Sequence, residues 1–493
     1  QENQCEGKCI RGKKGEPVAI GQLERFLGDQ PELASEPKMA PKNGKKVAVI
    51  GAGPSGITCA GELARNGFDV TVFEAFFTGG GVLAYGIPEF RLPKAVVKRE
   101  IDGLEKLGVK FEYNAVVGRI TDADELFAQG FDALYIATGA GLPKMLNIPG
   151  ENLPNVFFAN EYLTRVNLMK ANRFPEYDTP TKRAKNVVVF GGGNVAMDVC
   201  RTAVRLGAET YVIYRRSEDE MPADKEEVAE AREEGVKFCF LNAPVEILGN
   251  DGKVCGLKVE IMELGEPDEK GRRSPVGTGK FETIEVDSVL AAVGQSIDWG
   301  SLDIGELKTG KKGNAIADPV TYQTEQKDIF VGGDVYTGPK FAIDAIAAGR
   351  EGAESLHRFV NEGQSLTISR NLREFYELDK ENLLIDMDCF DRPARQAICH
   401  DASKAKTFEH DRLTFTEEQV KAEASRCLGC GVSVVDRNRC IGCGLCTTRC
   451  MFDAIHLQRD VPEASTMVRC EDKVGPMLKY VAKRAIKINR KEK

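Results

Sequence analysis

Six of the fifteen cysteines, Cys427, Cys430, Cys440, Cys443, Cys446 and Cys450, fall within 24 consecutive positions. Cys440-x2-Cys443-x2-Cys446-x3-Cys450 has the spacing of bacterial ferredoxins: three thiolates meet one [4Fe–4S] cluster from a tight loop, and the fourth cysteine reaches a neighbouring cluster. Met451 stands where a proline is usual. Zinc is the alternative metal for such a set. A second cluster would draw on Cys427, Cys430 and Cys450, with Ser433 at the place of the missing third cysteine and Cys470 as a candidate replacement. Cys389 and Cys399 have no ligand-like spacing, and Cys59, Cys200 and Cys239 lie in apolar patterns where a thiol packs as a small hydrophobe. No paired redox cysteines flank the glycine-rich turns described next.

Those turns are the second source of chemistry. Val187 to Phe190 reads as a strand, Gly191-Gly192-Gly193 as a turn, Val195, Val199 and Ala203 as one face of a helix, and Thr210 to Tyr214 as a second strand. Such a turn brings backbone close to a pyrophosphate, which rests on the partial positive charge of the helix N-terminus. Gly191, Gly193, Asn194, Val195, Ala196 and Asp198 are its candidate binding residues, Ala196 being the small residue that permits close helix–strand packing. Where an NAD site carries an acid, this chain has Arg215-Arg216; two guanidiniums suit a 2′-phosphate and therefore NADP(H). The plainer alternative is a core turn followed by surface arginines. Residues 46–74 repeat the pattern: Val47 to Ile50, then Gly51, Gly53, Pro54, Ser55 and Gly56, a helix with Ile57, Ala60, Leu63 and Ala64, and a strand ending at Glu74. A carboxylate there binds a ribose hydroxyl. Ile329 to Val331 runs into Gly332-Gly333-Asp334, an aspartate placed to contact a flavin's ribityl or phosphate end, so this unit is read as the FAD site.

The 493 residues allow three or four domains, and the 42% hydrophobic and 29% charged shares describe an ordinary water-soluble chain. No apolar run approaches the ~20 residues of a membrane span, and nothing resembles a signal peptide, so a cytoplasmic location without membrane is expected. A net charge of −8 argues against nucleic acid as a partner. The Gly28–Lys46 stretch reads as a linker, and Gly79–Lys94 as a loop or short helix. Ser217–Gly235 is expected to be a solvated acidic helix face without chemistry, and Ser365–Thr414 is polar and irregular, with His400 and His410 as surface residues. Thr416-Glu417-Glu418-Gln419 has the capping-box form and predicts a helix through Ala424; the basic stretch Lys479–Lys493 reads as a solvated helix.

Taken together, QCEGKC, PVAIGQLERF, VAVIGAGPSGITCAGELA, YGIPEFRLPK, YIATGA, GGGNVAMD, YRRSEDEMPA, AAVGQ, FVGGDV, AIAAGR and TEEQVKAEASRCLGCG resemble the flavoprotein family of the glutamate synthase small (β) subunit. The large subunit of NADH-dependent ferredoxin:NADP oxidoreductase belongs with it, and the N-terminal part of dihydropyrimidine dehydrogenase is a further relative. The resemblance spans roughly residues 4–430. It implies an α/β fold of two Rossmann-like domains, the NADP domain inserted in the FAD domain. The expected divisions are 1–38, remnant of an N-terminal iron–sulfur domain; 44–149 and 301–364, FAD domain; 150–300, NADP domain; 365–426, linker and helix; 427–460, ferredoxin-like module; and 461–493, basic tail. Phe131–Ala140 and Asp287–Gly294 would be the crossings. The resemblance also makes Leu83 and Arg91 flavin contacts and adds Thr138, Gly139, Gly294 and Gly333 to the cofactor set. Cys5 and Cys9 match the last two cysteines of an N-terminal pair of [4Fe–4S] clusters whose other ligands would precede Gln1, and Glu24 matches a non-cysteine ligand. An upstream segment is therefore expected. The alternative for Glu24 is an exposed helix acid.

Nicotinamide gives two electrons as hydride and an iron–sulfur cluster takes one, and a flavin converts between them. Hydride transfer needs no catalytic acid, base or nucleophile, and none is evident. The expected function is an NADPH-dependent FAD/iron–sulfur oxidoreductase subunit, the flavoprotein of an electron-bifurcating ferredoxin/NAD/NADP transhydrogenase. Its partners would be ferredoxin or iron–sulfur flavoprotein subunits. The alternatives are a glutamate synthase β subunit serving an amidotransferase, and a non-catalytic wiring subunit.

Overall fold

The computed structural model describes residues 4–13, 15–30, 37–180, 184–268, 271–302, 308–361, 363–368, 370, 393–429, 440–449, 455–457 and 473–491. They fall into two units, Gln1–Ile368 with Glu377–Cys430, and Ser369–Tyr376 with Gly431–Lys493.

In the first unit, α1 (Ile20–Gly28) precedes β1 (Lys46–Ile50), whose Val47 to Ile50 are all buried, as a strand covered on both faces requires. The chain turns into α2 (Pro54–Arg65), with proline in its first turn where the missing N–H has no helical partner, and returns as β2 (Asp69–Glu74). Next come α3 (Val82–Tyr85), α4 (Lys94–Lys106), β3 (Lys110–Tyr113), α5 (Ala123–Ala128) under an Asp122/Glu125 capping box, and β4 (Ala133–Ile136). A crossing strand, β5 (Leu142–Pro143), leads to a second run: β6 (Val156–Phe158), α6 (Ala159–Asn167), β7 (Asn186–Phe190), α7 (Asn194–Arg205), β8 (Glu209–Tyr214), α8 (Lys225–Glu233) and β9 (Lys237–Phe240). An antiparallel meander follows, β10 (Asn242–Asn250), β11 (Lys253–Pro267) and β12 (Arg273–Ile284), then β13 (Ser288–Ala291). Strand β14 (Gln295–Ser296) pairs antiparallel with β5 just beyond the crossings expected from sequence. The chain then re-enters the first sheet as β15 (Ile329–Val331), followed by α9 (Asp334–Thr337), α10 (Ala342–Val360) and, later, α11 (Glu417–Ser425) with its predicted capping box.

The two parallel sheets have corresponding orders, β15-β4-β1-β2-β3 and β6-β13-β7-β8-β9, so the second is an insertion between β4 and β15 of the first. Val47 and Val49 face Cys59, Leu63 and Tyr135 on one side of the first sheet, while Ala48 and Ile50 face Leu126 and Ile136 on the other. In the second sheet Val187 and Val189 face Val199 and Cys200. Its opposite face, Val188 and Phe190, is covered by Ile247, Leu257 and Val259 of the meander.

The second unit contributes α12 (Leu445–Arg449) and α13 (Val474–Lys491). Among the described residues no helix is long and apolar enough to cross a membrane.

Helix α10 lies close on α2 and β4 because Gly349 and Gly352 leave room: a Cβ at Gly349 would stand 2.3 Å from Ser55 O on α2, and one at Gly352 2.4 Å from Cε2 of Tyr135 on β4. Tyr135 is fully buried, its hydroxyl donating to Ala348 O at 3.0 Å and meeting Ser55 Oγ at 2.9 Å. Gly352→Ala is therefore expected to destabilise the fold by about 1–3 kcal/mol. Denaturant unfolding measures it, and an unchanged midpoint would contradict this packing.

Candidate functional site

The first glycine turn opens on a cavity of about 820 Å³ at the carboxyl ends of the parallel strands, where ligands of this architecture bind. Gly51, Gly53, Pro54, Ser55, Glu74, Thr138, Gly139, Gly333 and Asp334 all line it. The turn depends on Gly51: its φ is 105°, and a Cβ there would sit 2.5 Å from the carbonyl oxygen of Ala137 on the adjoining strand. Glu74 is 5% exposed and accepts from the backbone N–H of Ala52 at 2.8 Å and of Phe76 at 2.9 Å. Burial raises its pKa despite those bonds. Asp334 accepts from Lys340 N at 3.2 Å, and burial raises its pKa as well. Sequence reasoning named no residue for the far wall, where Tyr85, Phe158, Asn160, Gln295 and Trp299 stand. Burial, then the charges of Asp334 and Glu74, push the Tyr85 phenol up to about 12. Trp299 had no motif to mark it, whereas Tyr85 opens the YGIPEFRLPK stretch whose Arg91 was expected to meet the flavin instead.

The second turn copies the first. Gly191 has φ 138°, and a Cβ there would meet the carbonyl oxygen of Ala292 at 2.4 Å. Gly193 caps α7 in an extended conformation as Gly53 caps α2. Asn194 Oδ1 accepts from Asp224 N at 3.0 Å, Val195 is exposed and Ala196 is buried against the sheet. Gly294 has φ 112° and accepts through its carbonyl from Lys144 N at 3.1 Å, in the chain crossing between sheets and not on the cavity wall. At the end of β8 Arg215 is exposed, while Arg216 is 8% exposed with a buried Nε that has no partner among the described residues. The neighbouring acids are engaged elsewhere: Glu218 with Arg232 at 2.7 Å, and Glu220 with Ser217 and Arg273. An orphaned guanidinium nitrogen beside an exposed one fits a phosphate.

Cys5 is exposed, yet partial desolvation, followed by the charges of Glu24 and Glu6, pushes its thiol up. Glu24 is exposed, and Cys9 is half-buried, its Sγ accepting from Val18 N at 3.5 Å. Cys427, Cys440, Cys443 and Cys446 are exposed free thiols; Cys430 and Cys450 lie outside the described residues. Among the described residues no three His, Cys, Asp or Glu side chains gather closely enough to hold a metal, so the expected ligands are not brought together here. Metal binding itself supplies the free energy that draws such thiolates in. The donors of the second unit still fit: Cys440, Cys443 and Cys446 are free thiols in and just after a loop that Gly442 and Gly444 turn at φ 69° and 76°.

A family profile described as pyridine nucleotide-disulphide oxidoreductase matches residues 45–349. The chain belongs to this family. Residues 1–35 match dihydropyrimidine dehydrogenase domain II, 4Fe-4S cluster, and residues 433–456 match a 4Fe-4S binding domain. The beta subunit of NADP(+)-dependent formate dehydrogenase from Moorella thermoacetica is 36% identical over 86% of this chain and 63% of its own length. The chain thus spans under two thirds of that relative. The glutamate synthase [NADPH] small chain of Escherichia coli is 37% identical over 72% of this chain and 78% of its own. In structure, FprA from Mycobacterium tuberculosis aligns with a TM-score of 0.54 at 21% identity, over 65% of this chain and 85% of its own, a likeness of fold. FAD, NADP(H) and 4Fe–4S clusters are the cofactors of this family member.

Several side chains make contacts that their sequence positions did not reveal. Arg91, expected over the flavin, and Asp198, expected at the second turn, are joined to each other: Arg91 Nη1 donates to Asp198 Oδ1 at 2.6 Å and Nη2 to Glu227 Oε1. All three are largely buried, so each charge needs the others. Neither Arg91 nor Leu83 lines the cavity, although Val82 does. The acidic run 217–235 is a solvated face only in part: Glu218, Asp219, Glu226 and Glu233 are exposed, whereas other acids turn inward. Glu227 is 4% exposed, Glu230 binds Arg201 at 2.6 Å and also Arg412, and Glu234 binds Arg201 and Arg205, which both stack on Phe90. Charge along the sequence did not reveal that α8 packs these acids against the arginines of α7.

Lys94 gathers the loop over the cavity, its Nζ donating to Leu83 O at 2.9 Å, Ile87 O at 2.5 Å and Leu92 O at 2.9 Å. Burial pulls its pKa down to about 8 from 10.5. Between those values the unfolded chain holds a proton that the folded chain has released, so stability rises with pH across the window. Lys94→Met should lack that rise. Urea unfolding at pH 7.5 and pH 10 tests this; parallel pH responses in both proteins would refute it.

Proposed function

We propose that the chain is the NADP(H)-binding flavoprotein subunit of a multi-subunit iron–sulfur oxidoreductase. In this reading residues 44–149 and 301–364 hold FAD in the cavity at Gly51, residues 150–300 hold NADP(H) at Gly191, and the cysteines near both ends ligate 4Fe–4S clusters. The observation that carries it is the contrast between two like turns, one ending in the buried carboxylate of Glu74 and the other in Arg216, whose buried Nε has no partner among the described residues. The first suits ribose hydroxyls, the second a 2′-phosphate. FAD, held in this cavity, would supply the conversion between the two-electron chemistry of a nicotinamide and the one-electron chemistry of an iron–sulfur cluster. The chain's own residues bind and orient: Glu74 holds its place through two backbone donors, Tyr85 and Trp299 wall the cavity from water, and Lys94 fixes the loop above it.

The electron-bifurcating ferredoxin/NAD/NADP transhydrogenase is the specific complex we favour, acting in the cytoplasm, where cluster thiols stay reduced. Support comes from the C-terminal 4Fe-4S match, and from a formate dehydrogenase relative that aligns over more of the chain than the glutamate synthase small chain does. Anaerobic purification of the native complex, with NADPH oxidation assayed against ferredoxin and NAD together, tests it. A glutaminase-type partner would instead identify a glutamate synthase β subunit.

Arg215→Ala with Arg216→Ala is expected to weaken NADPH by about 10- to 100-fold, the worth of one or two charged hydrogen bonds. NADH should change little. Steady-state KM values for both nucleotides decide the matter, and equal losses would overturn the 2′-phosphate assignment.

A further inference from the structure

Helix α6 serves both sheets. Its Ala159 and Leu163 pack with Val187, Val189 and Met197 in the core of the second sheet. On another face, Asn160, Glu161, Thr164 and Arg165 line the cavity built on the first. Its last residue, Asn167, reaches the loop that follows the first glycine turn: Nδ2 donates to Tyr85 O at 3.1 Å and to Gly86 O at 3.3 Å. Both neighbours are carbonyl oxygens, so the nitrogen of the amide must face them.

A helix as short as α3 leaves its final carbonyls without helical partners. In this loop they are met from two directions. Lys94, on α4, takes Leu83 O and Ile87 O, and Asn167 takes the two between them. Asn167 is 4% exposed, and its Oδ1 is buried with no partner among the described residues. A leucine would strand no acceptor there, so packing alone does not account for an amide; its two donors do. The residue gripped is Tyr85, whose ring lines the cavity 5.4 Å from that of Phe76, another lining residue.

We propose that Asn167 is a positioning residue for the flavin. From the second sheet it fixes the backbone of Tyr85 and so sets how far the Tyr85 ring enters the FAD cavity. The proposal rests on the reading of that cavity as the FAD site. Its consequence is that retention of FAD depends on a side chain outside the dinucleotide unit that holds it.

The test uses the full-length holoprotein, diluted stepwise, with released FAD read by its fluorescence, so that no turnover enters the measurement. Asn167→Leu should weaken FAD by about 3- to 10-fold, the worth of one or two amide hydrogen bonds, and should alter the visible circular dichroism of the bound flavin. Tyr85→Ala should weaken FAD as well. The double variant should then bind no more weakly than Tyr85→Ala alone, because the ring through which Asn167 acts is gone. Additive losses would overturn the proposal and leave Asn167 a purely structural residue. Wild-type affinity in either single variant would overturn it too. Should Asn167→Leu fail to fold, Asn167→Ser replaces it in the same cycle and is judged by the same outcomes. A wild-type protein that retains no FAD while still binding NADPH would overturn the cavity reading beneath the proposal, an outcome distinguishable because the variants then have no flavin to lose.

Discussion

The molecule depends on one backbone constraint met twice. At Gly51 and again at Gly191 the chain leaves a central strand with positive φ and passes so close to the next strand's carbonyl that no side chain fits. That close passage lets the following helix begin at the sheet's carboxyl edge with its first N–H groups free to face an anion. Everything that distinguishes the two sites is then set by what ends the second strand of each unit. Glu74 is buried and held by two backbone donors, whereas Arg216 is buried with its Nε unbonded among the described residues.

Two sites of this kind are useful together only if their domains are held in a working relation. Here charge does what apolar contact does elsewhere. The loop after the first turn sends Phe90 and Arg91 against α7 and α8, where Arg91 meets Asp198 and Glu227 and Phe90 lies beneath Arg201 and Arg205. Desolvated ions of this sort tolerate little displacement, since separation leaves each charge buried and unpaired. The same logic recurs at Glu423 and Arg426, where a single pair binds three segments far apart in sequence.

Much of this was legible beforehand, and for a physical reason. A glycine turn between a four-residue apolar strand and an amphipathic helix is a local pattern, so β1–α2–β2 and β7–α7–β8 could be placed within a residue or so. The capping box at Thr416 is equally local. The bond between Arg91 and Asp198 could not be foreseen because each sits inside a motif stretch while its partner lies far away in sequence, a fact no spacing encodes. The acids of α8 deceived in the same way: a run of Glu reads as solvated until the arginines of the neighbouring helix are known. The cavity's far wall escaped because Tyr85, Asn160 and Trp299 converge only through the fold.

The central claim is that electrons pass from a phosphorylated nicotinamide, by way of the dinucleotide cavity, to iron held by the chain's cysteines. A stepwise anaerobic titration of the full-length, cofactor-replete protein with NADPH, followed by visible absorbance and electron paramagnetic resonance, addresses it most directly. The account predicts loss of flavin absorbance accompanied by the appearance of reduced-cluster signals at sub-stoichiometric NADPH. Flavin bleaching to completion with clusters that stay silent, yet respond to dithionite only at much lower potential, would contradict it.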